Sequence, residues 1–89
     1  MNTARPTLAK GVKLRHDRDG SVILLVPEGA LVLNRTAAVA LELVNGKRSI
    51  EEIAEAVVEQ FEVSPRRAKT DLTELFERLK ARGFIQWTS

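Results

Sequence analysis

The chain has 89 residues, 44% of them hydrophobic, which is enough for one core and too little for a second domain. It contains no cysteine, which excludes disulfides, thiolate metal ligands and thiol nucleophiles. Fourteen basic residues are set against twelve acidic ones, and the net charge of +2 argues only weakly for nucleic acid. The amino-terminal stretch lacks the apolar region of a signal peptide, and no apolar run approaches the ~20 residues of a membrane span. We therefore expect a cytoplasmic protein.

The chain divides into a short arm and one domain. Residues 1–11 have no hydrophobic periodicity and contain Pro6 and Gly11, which predicts a flexible amino-terminal arm. Beyond it, β-branched and aliphatic residues dominate up to Asn34 and helix formers follow, which predicts strands first and helices afterwards. Residues 12–89 are therefore predicted to form a single domain.

Three short strands are predicted before the helices. Apolar and charged residues alternate from Val12, which is typical of a half-exposed strand. Asp19-Gly20 predicts a type I′ turn into a second strand that ends at Val26. Pro27-Glu28-Gly29 predicts another turn, and Ala30–Leu33 then forms the third strand.

Three helices follow, each with a recognisable start. The predicted N-cap residues are Asn34, Ser49 and Ser64. Ser49 is followed three residues later by Glu52, the pattern of a capping box. Gly83 ends the third helix and leaves a short extended tail. The predicted fold class is α+β: a three-stranded antiparallel sheet followed by three helices, of winged-helix type.

Catalytic and metal-binding patterns are missing from the sequence. His16 is the only histidine, so a Ser-His-Asp arrangement would have to use it as the base; beside Asp17 it is predicted to be solvated or locally hydrogen-bonded. Asp17–Gly20 lacks the third ligand and the later glutamate of a calcium loop. The glycines are too scattered for a phosphate loop. We therefore predict no catalytic residue, no metal ligand and no cofactor.

The second and third predicted strands are apolar at every position, Val22–Val26 and Ala30–Leu33, although only one face of such a sheet can pack on the helices. Two explanations remain open. The arm or a second copy of the chain covers these residues, or the third strand is an unpaired edge that accepts a peptide strand.

The charges favour a peptide over DNA as the partner. A winged-helix DNA-binding protein is the main alternative, with Arg66, Arg67 and Lys69 opening a recognition helix. However, every charge from Ile50 to Glu62 is acidic, and this neighbouring helix would repel phosphates.

Several motifs occur together in an order and spacing typical of one family. They are R-P-x-L-x-x-G-V-x-L-R-x-D (Arg5 to Asp17), L-L-x-P-E-G (Leu24 to Gly29), L-N (Leu33, Asn34), N-G-x-x-S-x-x-x-I (Asn45 to Ile53) and D-L-x-x-L-F-x-x-L-x-x-x-G (Asp71 to Gly83). Over nearly the whole chain the sequence resembles the PqqD family of pyrroloquinoline quinone (PQQ) biosynthesis. One departure is Asn45, where the family usually has Asp before the glycine.

The resemblance implies a recognition element for a ribosomally synthesised and post-translationally modified peptide (RiPP), without catalytic residues or a cofactor. It implies two partners: the precursor peptide PqqA, whose leader is bound, and the radical SAM enzyme PqqE, to which the leader is presented. The leader is expected to lie antiparallel to the third strand, in a groove walled by the third helix. The residues expected to contact it are Ala30, Leu31, Val32, Leu33, Arg67, Ala68, Asp71, Leu75 and Arg78. The missing nucleophiles, metals and cofactor motifs disfavour an enzyme acting on the quinone or its precursor.

Overall fold

The computed structural model describes residues 5–88, which form five strands and three helices. In chain order these elements are β1 (Arg5–Leu8), β2 (Lys13–His16), β3 (Val22–Val26), β4 (Gly29–Leu33), α1 (Arg35–Glu42), α2 (Ile50–Phe61), α3 (Pro65–Ala81) and β5 (Ile85–Thr88). The strands make two antiparallel sheets, one of three strands in the order β2-β3-β4 and one of two, β1-β5.

The hairpin between β2 and β3 is present where it was predicted, but its turn is not type I′. Gly20 has a positive φ of 91°, whereas Asp19 does not have the positive φ that a type I′ turn requires. The Gly20 N–H donates to the Asp17 carbonyl at 3.1 Å, as in a type I turn followed by a left-handed glycine. The Asp19 carboxylate accepts hydrogen bonds from the hydroxyl and backbone N–H of Ser21, and these bonds lower the pKa of Asp19. This local side-chain bonding accompanies the different turn type.

The three predicted helix starts are confirmed. The Asn34 and Ser64 side chains each accept a backbone N–H of the first turn, at 2.8 and 3.1 Å. Ser49 accepts the N–H of Glu52 at 3.2 Å, and the Glu52 carboxylate accepts the N–H of Ser49 at 2.8 Å, which completes the capping box. These bonds satisfy N–H groups that have no partner inside the helix.

The hydrophobic core lies between β3, β5 and the inner faces of the three helices. Its most buried large side chains are Leu24, Leu41, Ile53, Leu72 and Phe76. The stripe predicted on the third helix is buried at Ala68, Leu72, Phe76 and Leu79. Leu75 is different, because it is only half-buried at the edge of this stripe. None of the helices described within residues 5–88 has the length and apolarity needed to cross a membrane.

The prediction of a flexible arm over residues 1–11 is wrong from Arg5 onward. Arg5–Leu8 forms β1 and pairs with β5 along its whole length. Pro6 is fully buried, and its carbonyl accepts the N–H of Gly46 at 2.9 Å. The first four residues of the predicted arm lie outside the described residues. Because β1 is fastened to β5, the described part of the arm does not cover β4.

Candidate functional site

The two edges of the three-stranded sheet differ in charge. The β2 edge carries Lys13 and Arg15, and charged side chains on an edge strand discourage pairing with another strand. β4 has the sequence Gly-Ala-Leu-Val-Leu, with no charge and no proline. Within residues 5–88 no strand pairs with its outer edge. The sheet can therefore accept a further strand at β4.

The register of β3 and β4 defines which backbone groups face this open edge. The two strands are joined through a two-residue loop closed by the pair Val26 and Gly29. The closing pair of a two-residue loop is hydrogen-bonded, and hydrogen-bonded pairs then alternate with non-hydrogen-bonded pairs along the strands. The backbone N–H and C=O groups of Leu31 therefore bond to β3. The N–H and C=O groups of Ala30 and Val32 point away from β3 by the same alternation. These four groups are available to an added strand.

A groove of about 520 Å³ lies between β4 and α3. Its lining residues are Leu31, Val32, Leu33, Asn34, Ala37, Leu75, Arg78, Leu79, Ala81 and Arg82. Most of these side chains are apolar, and two positive charges are added to the α3 wall by Arg78 and by Arg82, the C-cap residue directly after the helix. An open strand edge beside an apolar groove provides both requirements of strand addition: backbone partners for affinity and pockets for side-chain selectivity.

Most of the residues expected to contact a peptide meet in this groove. The structure brings Leu31–Leu33 of β4 together with Leu75 and Arg78 of α3. Val32 is 77% exposed, whereas the other exposed large hydrophobic side chain within residues 5–88, Val63, is 37% exposed. Ala30 is also exposed but lies at the strand edge, outside the groove lining.

The three remaining predicted residues lie elsewhere on α3. Asp71 lines an adjoining pocket of about 270 Å³. Ala68 is only 3% exposed and belongs to the core, so its side chain is withdrawn from the groove. The side chain of Arg67 is 80% exposed and its Nε lies 3.7 Å from a carboxylate oxygen of Asp71. Neither Arg67 nor Ala68 lines the groove or the adjoining pocket.

Sequence reasoning missed five lining residues. Ala81 and Arg82 lie three and four positions after Arg78, so helical spacing alone would have added them to the same face. Leu79 was assigned to the core, where it is 5% exposed, yet it also contributes to the groove. Asn34 is the N-cap that directly follows β4, so chain connectivity alone would have placed it beside the strand, whereas Ala37 comes from the first turn of α1 and depends on how that helix packs.

His16 forms a long-range contact. Its Nε2 lies 2.6 Å from a carboxylate oxygen of Glu42 at the end of α1, while its neighbour Asp17 pairs with Arg15 at 3.1 Å. Both members of the His16–Glu42 pair are substantially exposed, which is typical of a surface contact. Within the described range 5–88, no group of three histidine, aspartate or glutamate side chains is placed to hold a metal ion.

Comparison with known proteins identifies the family. The sequence model of coenzyme PQQ synthesis protein D (PqqD) matches residues 21–85. The chain belongs to the PqqD family. A PqqA binding protein of Xanthomonas campestris pv. campestris (strain B100) is 32% identical over 82 residues, which cover 91% of this chain and 89% of that relative.

Solved structures agree with this family assignment. The PqqD segment of Methylobacterium extorquens PqqCD, described as a functional and stand-alone RiPP recognition element, has a TM-score of 0.78 at 27% identity, over 91% of this chain and 87% of that one. A lasso peptide synthetase B1, solved with its leader peptide, has the same TM-score at 24% identity, over 92% and 98% of the two chains. At 24% identity, the likeness to the lasso peptide synthetase B1 supports the shared fold and says nothing about function. The predicted α+β fold of a RiPP recognition element is thereby confirmed.

Proposed function

We propose that this PqqD family member is a non-catalytic peptide carrier, which binds the leader of PqqA and presents it to the radical SAM enzyme PqqE. The observation that carries the proposal is the open, uncharged edge of β4 beside the apolar groove. The names of the relatives, PqqA binding proteins, support the identity of the peptide. A cytoplasmic location stays a prediction.

The leader adds to the sheet as an antiparallel strand on β4. The outward N–H and C=O groups of Ala30 and Val32 allow about four backbone hydrogen bonds, at ~0.5–1.5 kcal/mol each, or ~6 kcal/mol at most. A micromolar complex requires about −8 kcal/mol, so backbone bonds alone are insufficient. Burying one large apolar side chain contributes ~1.5–3 kcal/mol, and one or two leader residues in the groove supply the remainder.

The groove also favours a particular charge on the leader. Arg78 and Arg82 line its α3 wall, so acidic leader side chains close to the apolar anchors are preferred. Exposed ion pairs contribute only ~0–1 kcal/mol each, and their main effect is on the rate of association. Arg67 lies outside the groove lining beside Asp71, and it is left out of the proposed site.

The ion pairs of α3 support a peptide over DNA as the ligand. Lys69 lies 3.4 Å from Glu51, and Arg67 lies 3.7 Å from Asp71. Two of the three basic side chains that would open a recognition helix are therefore already beside carboxylates, which weakens their attraction for phosphates.

The proposed binding is tested by titrating the isotope-labelled chain with a PqqA leader peptide, with a scrambled leader as the control. We expect amide-shift changes in residues 30–33 and 75–82, and none of comparable size with the scrambled peptide. Changes that avoid both segments, or equal binding of the scrambled peptide, would contradict the proposed site.

Presentation to PqqE is tested separately. PqqE-catalysed modification of PqqA is expected to be faster with the chain than without it. An unchanged rate, with leader binding intact, would remove the presenting role and leave the binding role standing.

A further inference from the structure

A second groove, of about 410 Å³, lies between α2 and the start of α3. Its lining residues are Glu51, Ala54, Glu55, Val58, Glu59, Pro65 and Lys69. None of them lines the groove beside β4. The apolar members are Ala54, which is 6% exposed, together with Val58 and Pro65. This α2–α3 groove is thus an apolar channel with charged margins, separate from the proposed peptide site.

The margin of the α2–α3 groove is predominantly acidic. Glu51, Glu55 and Glu59 follow one another at intervals of four residues, so they lie along one side of α2. Glu51 lies 3.4 Å from the Lys69 ammonium. Within the part of the chain that the structure describes, Glu55 and Glu59 have no cationic group within 4.0 Å. Like charges at this spacing disfavour the helix, and among the residues 5–88 only Glu51 of these three carboxylates has a cationic partner.

We propose that the α2–α3 groove docks a basic amphipathic helix of a protein partner. Such a helix inserts apolar residues between α2 and α3 and places lysine or arginine against the three carboxylates. From Glu51 to Glu59 the rise along α2 is about 12 Å, the length of roughly two helical turns. A partner with a basic residue at every fourth position therefore matches the spacing of the acidic margin.

A second copy of this chain fits the groove less well. The chain has two basic helical segments, and one of them, the end of α3, already forms part of the groove beside β4 through Arg78 and Arg82. The other is the start of α3, where Arg67 and Lys69 already lie beside carboxylates. The apolar residue of that segment, Ala68, is 3% exposed and belongs to the core. The chain therefore has no free apolar face there to insert into another copy, whereas a separate protein can supply one.

The two grooves lie on opposite flanks of α3. Lys69 lines the α2–α3 groove and Arg78 lines the groove beside β4. Nine residues correspond to two and a half helical turns, so the two side chains leave the helix on opposite sides. If the proposed function holds, a leader on β4 and a partner helix on α2 can therefore be bound at the same time.

The test uses a synthetic helix with lysine at every fourth position beside a stripe of leucine, titrated into the isotope-labelled full chain. We expect amide-shift changes in α2 and at the start of α3. The double variant Glu55→Lys, Glu59→Lys is expected to bind at least about tenfold more weakly at low salt. Glu28→Lys with Glu77→Lys changes the net charge equally outside the groove and is expected to bind within about twofold of wild type.

The apolar floor is tested with a second matched pair. Val58→Ser is expected to weaken binding of the synthetic helix, whereas Val63→Ser, at an exposed valine outside the groove, leaves the affinity unchanged. Circular dichroism of each variant shows that it is folded before it is titrated.

Three outcomes would overturn the proposal. If Glu28→Lys with Glu77→Lys weakens binding of the synthetic helix as much as the groove variant does, the attraction is general and electrostatic. If the amide-shift changes are confined to β4, the synthetic helix has entered the leader site. If the wild-type chain self-associates and the Glu55→Lys, Glu59→Lys variant does not, the occupant of the α2–α3 groove is a second copy of the chain. A PqqA leader titration on the Glu55→Lys, Glu59→Lys variant separates the two hypotheses, because the leader site does not use the α2 carboxylates.

Discussion

The outward N–H of Val32 can be removed without breaking a hydrogen bond of the sheet itself. Proline lacks this N–H and is tolerated in edge strands whose N–H faces solvent. The residue before it, Leu31, is already in an extended strand, as proline requires of its predecessor. We therefore expect Val32→Pro to change the free energy of unfolding by less than ~1 kcal/mol. Leu31→Pro is the opposite case, because it removes a bond to β3, and it should destabilise the fold clearly.

The effect of Val32→Pro on leader binding is much larger. A leader carbonyl that loses its donor is left unpaired in the interface, at a cost of ~1–3 kcal/mol. With about 1.4 kcal/mol for each factor of ten, the dissociation constant should rise about fivefold to 150-fold. Val32→Ala keeps the N–H and removes two methyl groups of a side chain that lines the groove, so its smaller loss of affinity measures the side-chain contribution alone.

The assay is calorimetric titration of each variant with a PqqA leader peptide, together with thermal unfolding of each variant alone. A stable Val32→Pro variant with wild-type affinity would refute strand addition at this N–H. If Val32→Pro and Val32→Ala lose leader affinity equally, the effect comes from the side chain and not from the N–H.

Three further predictions concern α3 and the start of α2. Leu72→Ala, in the core, should lose ~2–5 kcal/mol of stability with little change in leader affinity. Leu75→Ala, at a half-buried position in the groove lining, should lose less stability but weaken leader binding about five- to tenfold. Unfolding of each variant and titration with the leader measure the two effects. Arg78→Glu should slow association of an acidic leader in a salt-dependent way, and Arg67→Glu should barely change the stopped-flow rate. Backbone hydrogen bonding at the N-cap lowers the pKa of Glu52 from 4.5, so its carboxylate stabilises the fold while ionised. The stability difference between wild type and Glu52→Ala should therefore shrink as the pH falls through that lowered pKa, which denaturant unfolding at several pH values will measure.

The sequence was most informative where the controlling interaction is local. Each helix start depends on a cap bond across three residues, and Ser49 with Glu52 can be recognised directly. The β2–β3 hairpin was placed correctly by its glycine, but the turn type was not. The bonds from the Asp19 carboxylate to Ser21 accompany a different turn, and the dipeptide Asp19-Gly20 alone does not reveal them.

Long-range pairing was not visible in the sequence. β1 and β5 lie at opposite ends of the chain, and the bond from the Thr88 hydroxyl to the Arg5 carbonyl joins residues 83 positions apart. Pro6 also argues against a strand, because it cannot donate to a ladder. Pro6 is accommodated in the two-stranded sheet of β1 and β5, where it is buried and its carbonyl accepts the N–H of Gly46.

The candidate site was predictable on β4 and only partly on α3. The residues of β4 include no charge or proline that would block pairing, and its place as the last of the three predicted strands leaves it at the edge of the sheet. Along α3, spacing of three or four residues defines a face but not which part of it β4 reaches. The groove uses the part from Leu75 to Arg82, whereas Ala68 is rotated into the core. Only the packing of β4 and α1 against α3 determines this division.

Intermolecular nuclear Overhauser effects in the complex of the labelled chain with an unlabelled PqqA leader show whether the leader forms an antiparallel strand on β4. We expect contacts from the leader backbone to the backbone protons of Ala30 and Val32, and from a leader side chain to the methyl groups of Leu75. Leader contacts confined to β2, to β5 or to the α2–α3 groove would contradict it.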